Sequence, residues 1–248
     1  MSGNWDTYLC QVDGSPAAIL VDLDLAKDAP DAAFPYMGYI SVTLRSPDEQ
    51  GLPKQEEYER LGEVEDALES VLTADAQAVY AGRSALDGHF DFFFYLRRGE
   101  HWGSRAGEVM AAFPEYVWES GCQDDPGWQS YTSFLFPDDY AMNGIQNRRA
   151  LRELAEQGDD MQKSREIEHR AVFSSPESAE AFSLALRESD FTLLPDQQNS
   201  DFPETWISVR FSRIDAPEDI DAVTYPLVEL ARTHNGAYQG WACPVVGS

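Results

Sequence analysis

Residues 165–194 read REIEHRAVFSSPESAEAFSLALRESDFTLL, and this stretch decides the fold of the second half of the chain. Its first nine residues predict a strand. A Ser-Pro-Glu-Ser sequence then predicts the start of a helix, with Ser175 as the capping residue and Pro176 in the first turn. The apolar residues that follow recur at steps of three and four, as on the buried face of a helix; they are Ala179, Phe182 and Leu186. A second strand is predicted at 191–194.

The elements on either side of this stretch complete a split β-α-β pattern. A helix is predicted upstream at 140–157, and a strand at 206–211, a helix opening at Pro217 and a last strand at 238–246 are predicted downstream. Pro226 lies inside the final helix, where it should kink the helix or mark its first turn. The resulting order, a helix followed by β-α-β-β-α-β, is typical of a ferredoxin-like fold.

The first half shows the same run of elements after an opening β-hairpin. Its predicted strands are 8–12, 18–25, 39–44, 78–81, 90–96, 117–122 and 130–136, and its predicted helices are 56–72 and a short one capped by Ser104. Phe92, Phe93 and Phe94 are consecutive, which indicates a central strand covered on both faces. We therefore predict an α+β chain of two ferredoxin-like α/β sandwich domains, each with an antiparallel sheet and helices on one face.

The boundary between the two domains is predicted at Pro137-Asp138-Asp139, where no apolar pattern continues across the chain. The predicted domains are residues 1–137, an α+β domain with an opening hairpin, and residues 138–248. We see no sequence repeat between the halves, so their likeness rests on the order of elements alone.

The chain is strongly acidic along its whole length. Its 248 residues include 44 Asp and Glu against 18 Lys and Arg, for a formal net charge of −26. Residues 1–137 carry −16 of this charge and residues 138–248 carry −10. Such a protein repels phosphate groups, so we expect it to bind neither nucleic acids directly nor anionic membranes. A field of this sign favours encounter with a basic protein partner.

The cysteines and the N-terminal residues predict a cytoplasmic protein. Cys10, Cys122 and Cys243 are few and widely spaced, which argues against a disulfide framework and against a Cys-x-x-Cys metal or redox site. Residues 1–6 lack the basic and apolar regions of a signal peptide. No apolar run approaches the roughly 18 residues that a membrane span requires.

No motif in the sequence predicts catalysis. The four histidines show no metal-binding spacing, and the Gly-rich loops that hold phosphates are missing from the sequence. The run Gly103–Gly107 has its serine one place too early for a nucleophile elbow. We therefore predict no catalytic residue, no metal and no cofactor.

Four segments of the second half carry a resemblance to a known family. They are residues 151–160, the strand sequence Arg165-Glu166-Ile167-Glu168-His169, the apolar positions Phe173, Phe182 and Phe191, and the closing hexapeptide Gly236-Ala237-Tyr238-Gln239-Gly240-Trp241. Over residues 140–246 the chain resembles the bacterial regulator of ribonuclease E activity B, a family of ribonuclease E inhibitors. Gln239 stands where that family has an acidic residue, and Pro226 is a second departure.

The first half resembles an uncharacterised bacterial domain family that is often joined to this regulator domain. The matching residues are Trp5, Tyr8, Val21-Asp22-Leu23, Gly51-Leu52-Pro53, Gly82-Arg83 and the aromatic run at 92–95. The two resemblances together imply a non-enzymatic regulator that docks on a ribonuclease E-type enzyme. Two alternatives stay open: an enzyme or small-ligand-binding protein with a site at the domain junction, and an immunity-type inhibitor of a basic nuclease toxin.

A partner-binding surface is predicted where charge and aromatic residues coincide in the second half. Carboxylates would steer a basic partner, and aromatic rings would supply the desolvated anchor. The predicted contact residues are Asp159, Asp160, Arg165, His169, Tyr238 and Trp241. The competing interpretation of Trp241 is a residue of the core.

Overall fold

The computed structural model describes residues 3–195 and 206–247, and the chain divides into two compact units. The units are Met1–Pro137 and Asp138–Ser248. Each unit has its own antiparallel sheet and its own cluster of buried apolar residues. The predicted α+β class is therefore confirmed.

The first unit contains a six-stranded antiparallel sheet. Its elements are β1 (Trp5–Val12), β2 (Ser15–Asp22), β3 (Tyr36–Thr43), α1 (Gln55–Leu72), β4 (Ala78–Leu86), β5 (His89–Leu96), α2 (Trp102–Met110) and β6 (Trp118–Asp124). The spatial order is β1-β2-β4-β5-β3-β6. The last four strands follow the ferredoxin-like order, and the opening hairpin extends the sheet beyond β4.

Strand β5 lies inside this sheet and is covered on both faces, as its three consecutive phenylalanines predict. Phe92 and Phe94 are buried in the core beneath α1 and α2. On the opposite face, the ring of Tyr95 stacks on Trp128 with centroids 3.8 Å apart. Phe93 contacts Phe134 on that same face, at a centroid distance of 5.7 Å.

The predicted strand at 130–136 is wrong, because residues Ser130–Leu135 form a π-helical turn. The carboxylate of Asp125 accepts hydrogen bonds from the backbone N–H groups of Gln129 and Ser130, at 2.7 and 2.9 Å. The N–H of Tyr131 donates to the hydroxyl of Tyr95 at 3.0 Å. These contacts satisfy the backbone without a neighbouring strand, so the segment folds over the sheet instead of extending it.

Several smaller boundaries in the first unit also differ from the predictions, and two of them have a local cause. Helix α2 begins at Trp102 rather than after Ser104, because His101 takes a left-handed backbone conformation with φ of +64°. Strand β2 ends at Asp22, whose side chain accepts from the N–H of Asp24 at 3.0 Å and starts a short 3-10 helix.

The second unit has the ferredoxin-like topology preceded by one additional helix. Its elements are α3 (Asp139–Glu156), β7 (Arg165–Phe173), α4 (Pro176–Arg187), β8 (Thr192–Leu193), β9 (Ile207–Asp215), α5 (Ile220–Thr233) and β10 (Gly236–Ala242). The sheet order is β10-β7-β9-β8, with antiparallel neighbours throughout. Phe173, Phe182 and Phe211 are fully buried where α4 and α5 cover this sheet.

The local signals that predicted the second unit operate as expected. Ser175 caps α4 by accepting from the N–H of Ser178 at 3.2 Å, and Pro176 is the first helical residue. Pro226 lies in the interior of α5, about two turns from its start at Ile220, so the expectation that it marks the first turn of this helix is wrong. Among the described residues, no helix is both long and apolar enough to cross a membrane.

Candidate functional site

Arg165, at the start of β7, organises the turn that follows α3. Its guanidinium donates to the carboxylate of Asp159 at 2.5 Å and to the backbone carbonyls of Asp160 and Lys163, each at 3.2 Å. Its Nε donates to the sulfur of Cys243, at a nitrogen–sulfur distance of 3.4 Å. The side chains of Arg165 and Asp159 are only 6% and 0% exposed. This ion pair therefore holds the fold together and offers no free charge to a partner.

Asp159 also anchors the C-terminal segment. Its second carboxylate oxygen accepts from the N–H of Val246 at 2.7 Å. Burial acts to raise the pKa of Asp159, but the Val246 amide and the Arg165 guanidinium outweigh it and hold the pKa below its usual value. Asp159 is consequently ionised at neutral pH.

His169 is a core residue of the second unit. It lies on the helix-covered face of β7, is 2% exposed, and stacks on Phe211 at a centroid distance of 5.4 Å. Its Nδ1 is 2.8 Å from the hydroxyl of Tyr238. Burial lowers the pKa of His169 to about 4, so the ring is neutral at physiological pH. The structure therefore provides no charged histidine at the predicted surface.

Trp241 is half-buried and joins β10 to α3. It stands opposite His169 in the β10–β7 pairing, and its indole N–H donates to the side-chain oxygen of Asn147 at 2.8 Å. The amide nitrogen of Asn147 donates in turn to Asp221 at 2.7 Å and to the hydroxyl of Thr224 at 2.8 Å. Asn143 donates to the same hydroxyl at 2.9 Å.

These polar side chains form one amide network, which we define as Asn143, Asn147, Asp221, Thr224 and Trp241. Asn143 and Asn147 are buried on one face of α3, and their amides form hydrogen bonds that join this helix to α5 and β10. The sequence reasoning missed both residues. The signal available was a pair of asparagines at an i, i+4 spacing within the apolar face of a helix, where asparagine is uncommon.

The two glycines of the closing hexapeptide are required for different reasons, Gly236 by close packing and Gly240 by its backbone conformation. A Cβ on Gly236 would lie 2.2 Å from the ring of Phe173. Gly240 has φ of +114° and follows a β-bulge between Tyr238 and Gly240. The bulge breaks the regular alternation of β10, so Tyr238 and Trp241 both contact the core of the unit.

A partner approaching the surface can reach only part of the predicted set. The side chain of Asp160 is 30% exposed, and Tyr238 and Trp241 are each only partly buried. Asp159, Arg165 and His169 lie in the interior, where they position the turn, the C-terminal segment and β10. Within residues 3–195 and 206–247, no three His, Cys, Asp or Glu side chains converge in a way that could hold a metal ion.

Two ferredoxin-like units, each with an antiparallel sheet under helices, define a two-domain α+β protein. The chain belongs to the family of unknown function DUF695, whose family model matches residues 3–136. The family model of the regulator of ribonuclease activity B matches residues 144–243. Both resemblances seen in the sequence are thereby confirmed, and the second match associates the second unit with the regulation of ribonuclease activity.

Among solved structures, the chain is similar to a crystal structure of an unknown protein from Galdieria sulphuraria. The two share 12% identity over 84% of this chain and 98% of that chain, with a TM-score of 0.23. No curated protein matches the chain.

Proposed function

We propose that this protein is a non-enzymatic regulator that docks on a ribonuclease E-type enzyme through its second unit. The observation that carries the proposal is the match of residues 144–243 to the regulator of ribonuclease activity B. The absence of a catalytic motif from the sequence is consistent with a protein that acts by binding.

Charge supports a basic surface as the target. The second unit carries −10 of the formal net charge of −26, and many of its carboxylates are exposed on the outer sides of helices. Those on α3 and α4 include Glu153, Glu156, Glu177 and Glu180. Clustered charge of one sign accelerates encounter with a partner of the opposite sign.

The proposed contact surface consists of Asp160 and the partly buried rings of Tyr238 and Trp241. The carboxylate of Asp160 accepts from the N–H of Gln162 at 3.2 Å and lies 3.4 Å from the ammonium of Lys163. It is partly exposed at the turn whose backbone Arg165 fixes. Asp160 would contribute to steering, and the rings would contribute apolar contact area.

The direct test is binding of the purified full chain to the purified non-catalytic scaffold segment of ribonuclease E. We expect a saturable complex whose association rate falls steeply between roughly 50 mM and 500 mM salt, since added ions screen the charges. RNA cleavage by the whole enzyme should slow when the chain is added. Failure to form a complex at the lower salt concentration would overturn the proposal.

A matched pair of variants tests the contact surface. Asp160→Asn removes one charge while keeping an oxygen for the Gln162 amide, and it should flatten the salt dependence of association. Asp13→Asn removes one charge from the exposed hairpin turn of the first unit, where φ is +51°, a conformation that Asn tolerates. Equal effects of the two variants would mean that net charge matters and that Asp160 has no local role.

A further inference from the structure

The sheet of the first unit ends on β6, a straight strand with a free outer edge. β6 is last in the order β1-β2-β4-β5-β3-β6, and it pairs with β3 without a change of register along its 7 residues. This fully described strand contains no lysine, no proline and no bulge, which are features that commonly prevent a sheet edge from pairing with another chain. Its charged side chains, Glu119 and Asp124, lie near its two ends. The middle of β6 is therefore suited to strand addition.

Backbone hydrogen bonds at the two ends of β6 show which of its residues face outward. The N–H of Thr43 donates to the carbonyl of Val117, and the N–H of Asp125 donates to the carbonyl of Pro35, each at 2.9 Å. Residues that bond the neighbouring strand alternate in an antiparallel pair with residues whose N–H and C=O point away from it. The outward groups of β6 therefore belong to Trp118, Ser120, Cys122 and Asp124. Within residues 3–195 and 206–247, no hydrogen bond engages these outward N–H and C=O groups.

Two adjoining grooves lie along this edge. Their volumes are about 490 and 520 Å³, and Gly99 and Cys122 line both of them. The larger groove continues toward the start of α2, where its lining consists mainly of small side chains such as Gly103, Ser104 and Ser120. Ligand sites in proteins commonly have volumes of about 300–1,000 Å³. The space beside β6 is therefore large enough for an extended peptide segment.

The groove nearer Asp124 carries positive charge that no carboxylate neutralises. Arg97 and Arg98 line this groove, and both are exposed. Arg97 donates to the carbonyl of Ala76 at 3.0 Å, whereas Arg98 has neither a hydrogen bond nor an ion pair among the described residues. Glu100 and Asp124 also line the groove, but neither forms an ion pair with these two arginines. In a chain with a formal net charge of −26, an arginine without a carboxylate partner is suited to an external carboxylate.

We propose that the outer edge of β6 binds an extended segment of a partner protein, which extends the sheet by one strand and places a carboxylate beside Arg98. Backbone hydrogen bonds to Ser120 and Cys122 supply affinity, and the pairing of carboxylate and guanidinium supplies specificity. A second copy of this chain is a poor occupant, because two chains that each carry a net charge of −26 repel one another. This site lies in the first unit and is independent of the function proposed for the second.

Hydrogen exchange of the full chain, followed by NMR, tests the edge before any partner is added. The amides of Ser120 and Cys122 should exchange rapidly, because they point away from β3. The amides of Glu119 and Gly121 should exchange slowly, because they donate to β3. Equal protection of the two sets would show that the edge is already covered, and it would overturn the proposal.

A phage library of random heptapeptides, selected on the full chain, then provides the binding probe. Cys122→Pro removes one outward N–H but no bond to β3, so an edge strand tolerates it. Cys122→Ser keeps that N–H and serves as its control. Selected peptides should contain an acidic residue, bind wild type and Cys122→Ser alike, and bind Cys122→Pro about tenfold more weakly. Selection of no such peptide, or equal binding to all three proteins, would overturn the proposal.

A scan of the peptide itself avoids any dependence on how well Cys122→Pro folds. Synthetic copies of one selected peptide each carry a single backbone N-methyl group, which removes one N–H donor. Binding to the wild-type chain should weaken about tenfold at every second position and stay nearly unchanged at the positions between, because successive N–H groups of a strand point in opposite directions. A response without this alternation would exclude strand addition.

A pair of arginine variants tests the carboxylate contact. Arg98→Gln should weaken binding of the selected acidic peptide about tenfold, since a charge-assisted contact is lost. Arg45→Gln removes an equal charge at another exposed position of the first unit and should leave binding unchanged. Equal weakening by both variants would contradict the assignment of Arg98. Dimerisation of the wild-type chain that Cys122→Pro abolishes would identify a second copy as the occupant and overturn the proposal of a peptide partner.

Discussion

At the scale of single residues, Trp241 connects the closing hexapeptide to α3 through one hydrogen bond. Trp241→Phe keeps an aromatic ring but leaves the buried oxygen of Asn147 without its indole donor. We expect the free energy of unfolding to fall by about 1–3 kcal/mol, the cost of an unsatisfied buried acceptor. Urea denaturation measures this change.

The control for that variant is Trp206→Phe, since Trp206 is 42% exposed, and this substitution should alter stability much less. If Trp241→Phe leaves the unfolding curve unchanged and weakens partner binding, Trp241 is a surface anchor and its structural role is minor.

His169 makes the free energy of unfolding depend on pH. Its pKa is lowered to about 4 by burial, whereas an unfolded histidine has a pKa of about 6.5. Between these two pKa values the unfolded state binds more protons than the folded state. The stabilisation of the fold by neutral His169 is therefore full above about pH 6.5 and is lost as the pH falls toward 4. The total loss is about 3 kcal/mol.

Comparing wild type with His169→Phe isolates this contribution from the carboxylates that titrate in the same range. Urea denaturation between roughly pH 7 and pH 5 should show a flatter loss of stability for the variant. His89→Gln, at an exposed position of the first unit, should keep the wild-type slope. If His169→Phe keeps the wild-type slope as well, the native pKa of His169 is not depressed.

Residue roles could be predicted from the sequence only where the determinant is local. The cap at Ser175 involves a partner three residues away, and its sequence signal is sufficient. The burial of Asp159 depends on Val246, which lies 87 residues further along the chain. A Gly-Asp-Asp turn therefore indicated an exposed carboxylate, whereas the tertiary fold places Asp159 in the interior.

At the scale of elements, the second unit was predictable because each helix and strand carries its own signal. Periodic apolar residues, a capping serine and an Asn-Gly turn delimit its segments independently of tertiary contacts. The segment 130–136 lacked such a signal. Its apolar residues suit a strand, but the carboxylate of Asp125 and the hydroxyl of Tyr95 satisfy its backbone in a π-helical turn. Both groups come from elsewhere in the fold, and no local pattern reveals them.

Helix α3 illustrates the same limit for the candidate site. Its predicted range of 140–157 differs from the observed Asp139–Glu156 by one residue at each end, but the polar residues on its buried face were not predicted. The buried face also contains Asn143 and Asn147. Their burial is compensated only because both amide nitrogens donate to the hydroxyl of Thr224 in α5. A polar residue on such a face gains a favourable environment only when its partner is present. The amide network could not be foreseen for this reason.

At the scale of the whole molecule, negative charge is distributed over both units, and each unit has an apolar core of its own. One core is formed within the first unit around β5, α1 and α2, and the other within the second unit around β7, α4 and α5. Each unit also contributes all the strands of its own sheet. This organisation favours independent folding, because neither core requires residues from the other unit to be complete.

We predict that residues 138–248 expressed alone fold and unfold in one cooperative transition. The fragment retains the amide network, the Arg165–Asp159 ion pair and the whole core of the second unit, so its free energy of unfolding should reach about 5–10 kcal/mol. Urea denaturation followed by circular dichroism measures it, and residues 1–137 provide the companion fragment. A transition at the same urea concentration in the fragment and in the full chain would show that the second unit is stable by itself. A fragment that is insoluble or that unfolds without cooperativity would show that the first unit is needed for the second to fold.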